Sequence, residues 1–170
     1  MNILIYAMIG WLIMTIITAL GSRFTIGHLL PDISVVIVVF IAIRREIIPV
    51  IITATIIGYF EGQQALAPIG LHEMALTICA LFVYLTVGNL AGNGPRFFAL
   101  TCGGIVMLYH LLLYIIINIF GNAVGFSSWV TSILLPSALV TAMLALIVRP
   151  LLMFVERKLY AQQHEELSWH

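Results

Sequence analysis

Six apolar stretches, Ile3 to Leu20, Leu29 to Ile43, Ile47 to Phe60, Leu71 to Leu90, Phe97 to Phe120 and Trp129 to Val148, follow one another with only short polar interruptions. None of those interruptions is long enough to fold as a soluble domain, so the stretches themselves must be the fold. Of the 170 residues 62% are hydrophobic and 8% charged, whereas water-soluble domains carry about 25% charge. Such a chain uses lipid as its solvent. In hydrocarbon every backbone N–H and C=O must be satisfied internally, which leaves helices or a closed barrel, and the alternating pattern of barrel strands is missing. The sequence therefore predicts an all-α integral membrane protein: a six-transmembrane-helix bundle over residues 1–150.

Two of the stretches are short. About 15 residues rising 1.5 Å each reach roughly 22 Å, against a hydrocarbon core of about 30 Å. The second and third stretches thus form either a re-entrant hairpin or, as we favour, a pair of spans that thin the bilayer, with Arg44 and Arg45 snorkelling from the second. The first stretch lacks a preceding basic segment and is too long and poorly bounded for a cleaved signal, so it reads as a retained span. With the N-terminus inside, Arg44, Arg45, Arg96, Arg149, Arg157 and Lys158 fall on the cytoplasmic side and only Arg23 outside. By the positive-inside rule both termini are cytoplasmic in a multi-pass inner-membrane protein. Beyond Pro150, Leu151, Val155 and Leu159 recur at every fourth position, with Glu156, Arg157, Lys158 and Gln162 on other faces. Residues 151–170 read as a short cytoplasmic amphipathic tail on the membrane surface, or alternatively as a handle for a partner.

The seven basic and seven acidic side chains cancel and form no basic stripe, which argues against nucleic acid as a partner. Cys79 and Cys102 lie inside apolar stretches and read as buried thiols rather than a disulfide or metal pair.

Ionisable groups are costly in lipid, so each one within a span is a functional candidate. Asp32 follows Pro31 at the start of the second stretch, where its carboxylate suits the first-turn N–H groups as a helix cap. His72 and Glu73 begin a His-Glu-Met-Ala-Leu run that lacks the second histidine of a zinc-protease helix, because position 76 is Leu. Glu61, His72 and Glu73 fall near one external surface, where Glu61 is expected to face the membrane boundary together with the Pro68 to His72 turn. On the fifth stretch His110, Tyr114 and Asn118 recur at every fourth position. The sixth answers with Ser137, Thr141 and Ala145, beside Ala138 and Ala142. This pattern predicts close helix packing with polar side chains bonding across the seam. A proton or substrate path along His110 is the sharper alternative, weakened because no acidic partner lies deep in another stretch. No Ser/His/Asp set, phosphate-cradling loop or aspartate pair can be assembled, so the reading is non-enzymatic and without cofactor or metal.

Pro31-Asp32 opens one apolar helix. Gly58-Tyr59-Phe60-Glu61 is followed by a turn and then by Pro68-Ile69-Gly70-Leu71-His72, which opens another. This arrangement resembles the rod-shape-determining protein MreD family, whose pattern is Pro-Asp, then Gly-x-x-Asp, then Pro-x-Gly-Leu-His. Glu61 stands where the family usually has Asp, and the loop before Pro68 is about one residue longer. The resemblance implies a non-enzymatic scaffold or regulatory subunit of the bacterial elongation (rod) complex, controlling cell shape and lateral peptidoglycan synthesis. Its implied partners are MreC, the actin-like MreB filament and the RodA–penicillin-binding-protein synthase, and self-association is left open. It also implies a fold like that of the substrate-binding subunits (S-components) of energy-coupling-factor transporters, which supplies the alternative function of binding a vitamin-type ligand. Those subunits carry an Ala-x-x-x-Ala pair on the first helix, where this chain has Thr15-x-x-x-Ala19. Physically, Gly58 permits a close helix approach, and Pro68 with Gly70 sets the turn.

Overall fold

A computed structural model describes residues 31–65, 68–87, 94–119 and 126–167. The first apolar stretch, and with it Arg23, lies outside the described residues. Among those described, every regular element is helical: α1 (Ile33–Arg44), α2 (Ile47–Gln64), α3 (Leu71–Thr86), α4 (Pro95–Ile119), α5 (Phe126–Trp129), a π-helical turn (Val130–Leu134) and α6 (Leu135–Leu167). Two segments, Pro95–Ile119 and Val130–Phe154, are long and apolar enough to cross a membrane, while α1 and α3 are apolar but shorter.

The shortness of α1 has a packing cause. Residues Ile33 to Ala42 are all buried, because α1 is surrounded by α2, α3, α4 and α6. A helix apolar on every side belongs in a protein core or in lipid, and here other helices supply the cover. Enclosure also frees its 12 residues, about 18 Å of rise, from having to match the hydrocarbon thickness. The run Ile-Ser-Val-Val-Ile-Val-Val-Phe is rich in β-branched residues that favour strands by local propensity. Tertiary burial overrides that preference. α2, in turn, runs past Phe60 to Gln64, longer than the sequence suggested.

Two close approaches lock the remaining helices. A Cβ at Gly58 would sit 2.6 Å from Glu73 Cα, so α2 and α3 touch backbone to backbone there. At Gly103 of α4 a Cβ would meet Ala142 Cβ at 3.3 Å and the Ala138 carbonyl at 3.5 Å, which is the small-residue seam expected between α4 and α6. Gly70, at φ +95°, adopts the left-handed conformation that opens α3. Its N–H donates to Glu73 Oε2 at 3.0 Å, so Glu73 serves its own helix start.

The tail expectation is corrected. α6 continues unbroken through Pro150 to Leu167. Its inward face beyond the proline carries Leu152 and Glu156, whereas Leu151 is 61% exposed. Glu156 Oε2 accepts from Arg44 Nη1 at 2.6 Å and Oε1 from Arg45 Nη2 at 3.1 Å. The C-terminal extension is therefore fastened to the end of α1 by an ion cluster, and Arg44 and Arg45 are held by a carboxylate rather than simply reaching for water.

Candidate functional site: a polar hub between five helices

At the end of the bundle opposite the ion cluster, polar side chains from α1, α2, α3, α4 and α6 converge. Asp32 occupies the N-cap position of α1, yet its side chain makes no capping bond. Instead Asp32 Oδ2 accepts from Ser137 Oγ at 2.8 Å and lies 2.9 Å from His110 Nε2, while the Asp32 N–H donates to Thr141 Oγ1 at 3.0 Å. The capping role read from sequence is thus overturned. So is the statement that His110 lacks an acidic partner. The nearby π turn has a local cause: Pro136 has no N–H for an i→i−4 bond, and Leu135 N–H bonds back to the Val130 carbonyl. Ser137 is presented directly after this irregularity.

The hydrogen-bond directions follow from the proton inventory. Ser137 spends its single proton on Asp32, so the 2.9 Å contact between His110 Nε2 and Ser137 Oγ requires Nε2–H as donor. One ring nitrogen therefore serves both Asp32 and Ser137. A nucleophile relay needs the histidine to receive the serine proton on one nitrogen while the aspartate holds the other. Asp32, His110 and Ser137 meet, contrary to the sequence expectation that no such set assembles, but their bonding is a closed triangle and not that relay.

The adjacent residue on α4 builds the second half of the hub. Tyr109, 1% exposed, donates from its hydroxyl to Glu61 Oε1 at 2.8 Å. His72 Nδ1 lies 2.6 Å from the same hydroxyl oxygen and, since that oxygen's proton is committed, must be the donor. The chain His72 Nδ1–H to Tyr109 Oη–H to Glu61 Oε1 ties α3, α4 and α2 together. Glu61 is 9% exposed, so its carboxyl group points into the protein, toward Tyr109, and presents no exposed surface of its own. Ser34 of α1 lies beside this carboxyl group, yet neither Ser34 Oγ nor Glu61 Oε2 closes a hydrogen bond of good geometry.

Above the hub, the Trp129 ring lies 6.4 Å from His110 and 4.6 Å from Tyr114, shielding the triangle. Tyr114 thus contributes a ring contact. Asn118 Nδ2 donates to the Tyr114 carbonyl of its own helix at 2.9 Å and not across the seam; the His110–Ser137 contact joins α4 to α6, and Thr141 bonds instead to the Asp32 N–H at the start of α1. Pro31 accepts from Ile33 N–H at 3.0 Å and Pro68 from Leu71 N–H at 3.2 Å, each shaping a helix start. Sequence reading missed Tyr109 and Ser34. A tyrosine next to an intramembrane histidine was the available signal, since a buried hydroxyl needs a partner. Among the described residues no group of three or more His, Cys, Asp and Glu side chains has the geometry to hold a metal ion.

No family model matches the chain, and neither the curated proteins nor the solved structures give a match.

Proposed function

We propose that this chain is a non-enzymatic scaffold subunit of a bacterial elongation complex, a six-span inner-membrane protein with both termini in the cytoplasm, working with MreC and through it with MreB and the RodA–penicillin-binding-protein synthase. The resemblance to the MreD family motivates the assignment. One observation supports it: the residues that carry the resemblance, far apart in sequence, belong to one junction. Asp32 holds His110 and Ser137, Glu61 holds Tyr109, and His72 completes the chain to that same tyrosine. Gly58 and Gly70 set the approach and the turn that bring α2 and α3 into place. A motif whose members jointly fix the relative placement of five helices suits a protein whose product is a shaped surface. The apolar exterior agrees with lipid contact, since Leu100, Leu139 and Met143 are 75%, 67% and 72% exposed.

Depleting the protein in its host should turn rods into rounded cells, with wild-type expression restoring width. Unchanged cell shape on full depletion would overturn the assignment.

A second reading is favoured by the contact between Asp32 and His110, an acid and an imidazole paired inside the bundle, which is the kind of group set that membrane proton relays use. The two readings separate on His110→Gln: a scaffold retains cell-shape rescue wherever the variant is stably assembled, whereas a relay loses it.

A further inference from the structure

A buried carboxylate is tolerated where donors or cations meet its oxygens, and the two carboxyl groups of the hub differ in this respect. Asp32 Oδ2 receives Ser137 Oγ–H at 2.8 Å and faces the basic ring of His110 at 2.9 Å. Glu61 Oε1 receives the Tyr109 hydroxyl at 2.8 Å, but Glu61 Oε2 is buried and receives no donor. The polar atom that α1 places beside this carboxyl group, Ser34 Oγ, is itself buried and unpartnered. Ser34 can either give its own proton to Glu61 Oε2 or accept one from it.

Charge decides between the two. The groups that face Glu61 are Asp32 from α1, His72 and Glu73 from α3, and Tyr109 and His110 from α4. Among the described residues no lysine or arginine reaches either hub carboxyl group. His110 is engaged with Asp32, and Glu73 is itself acidic. His72 stands 3.9 Å from Glu61 Oε1, with its Nδ1–H already given to the Tyr109 hydroxyl between them. An ionised Glu61 would therefore set a second anion beside Asp32 without a cation of its own, whereas a neutral Glu61 removes both the repulsion and the desolvation of that charge. Surroundings that separate two carboxyl groups in this way keep one ionised and the other protonated.

We propose that Glu61 is a carboxylic acid in the folded chain at neutral pH, with its proton on Oε2 and donated to Ser34 Oγ, while Asp32 is the ionised partner of His110. Oε1 stays the carbonyl oxygen that accepts from Tyr109. The hydrogen-bond chain then runs from His72 through Tyr109 and Glu61 to Ser34, which adds α1 to α2, α3 and α4. The bound proton is a fastener: its removal sets two anions against each other and loosens α1 from α2. This holds for a scaffold and for a relay alike, and in a relay it makes Glu61 the group that stores the proton.

Infrared spectroscopy of the full chain in lipid bilayers tests it, because the C=O stretch of a protonated carboxyl group stands apart from the amide bands and moves down in D2O. At neutral pH the wild type should show this band and Glu61→Gln should lack it. Ser34→Ala, which takes away the acceptor, should move the band to higher frequency. Uniformly isotope-labelled glutamate should shift it in the unmutated chain, which keeps the test decisive where Glu61→Gln fails to assemble. Raising the pH until the band is lost should lower the unfolding temperature of the wild type more than that of Glu61→Gln, whose amide stands in for the acid. A wild-type spectrum without the band, or a band that labelled glutamate leaves in place, would overturn the proposal. An unmoved band in Ser34→Ala would overturn the pairing with α1.

Discussion

Gly58→Ala is the substitution whose cost the geometry fixes most tightly. The new Cβ would lie 2.6 Å from Glu73 Cα, 2.8 Å from Glu73 N and 2.9 Å from the His72 carbonyl oxygen. Carbon atoms in contact prefer about 3.5–4.0 Å, so α2 and α3 must move apart by roughly 1 Å. All three neighbours are backbone, and no rotamer change relieves the overlap. Overpacking of this kind costs about 1–3 kcal/mol, and separating the helices also strains the 2.6 Å and 2.8 Å contacts that His72 and Glu61 make with Tyr109. The intrinsic helical advantage of Ala over Gly, about 1 kcal/mol, offsets part of this, leaving a net loss on the order of 1–2 kcal/mol. Thermal unfolding in detergent, followed with a thiol-reactive dye, reads it directly, because Cys79 and Cys102 are both 0% exposed and label only when the bundle opens. Gly104→Ala is the internal control. A Cβ there meets nothing within 4 Å, so stability should stay level or rise by up to about 1 kcal/mol. If the two variants unfold at the same temperature, α2 and α3 are not in backbone contact at Gly58.

Other outcomes follow from the hub and the ion cluster. Tyr109→Phe keeps the ring but removes the donor to Glu61 and the acceptor of His72, and should cost about 2 kcal/mol in the same unfolding assay; a change within error would deny the chain of three. His110→Ala should cost on the order of 1–3 kcal/mol by leaving Asp32 short of a donor, and His110→Gln, which can still donate, should cost less. Glu156→Gln should lower stability by about 1 kcal/mol, a value kept small because the Arg44 side chain is 33% exposed, and pairing it with Arg45→Gln should be less than additive. Reporter fusions after Lys158 and within residues 62–67 should report cytoplasmic and external sides respectively; a same-side result would contradict the six-span topology.

What could be read from sequence was governed by local chemistry. The helix start at Leu71, the close approach at Gly58 and the small-residue contact of Ala138 and Ala142 each depend on a residue's own shape and spacing, and the structure has each of them. The pairing of Asp32 with His110, 78 positions apart, depends on which helices are neighbours, and periodicity along one helix carries no information about that. The central position of α1 was hidden for the same reason: a short, wholly apolar run is equally compatible with a thin span, a hairpin or an enclosed helix. Pro150 misled because proline ends isolated helices, whereas here the following turns are held to the bundle by Glu156 and its two arginines. Asn118 shares the stripe of His110 but bonds to its own helix, since stripe membership fixes a direction and not a partner.

The central claim, that the hub shapes a membrane subunit recognised by MreC, is tested most directly by co-purification from solubilised membranes, normalised to the amount of the chain recovered. Wild type should carry MreC with it, and Glu61→Leu, which removes the acceptor of Tyr109 while leaving insertion intact, should recover several-fold less; absence of MreC from the wild-type preparation, with the chain folded and in the membrane, would contradict the account.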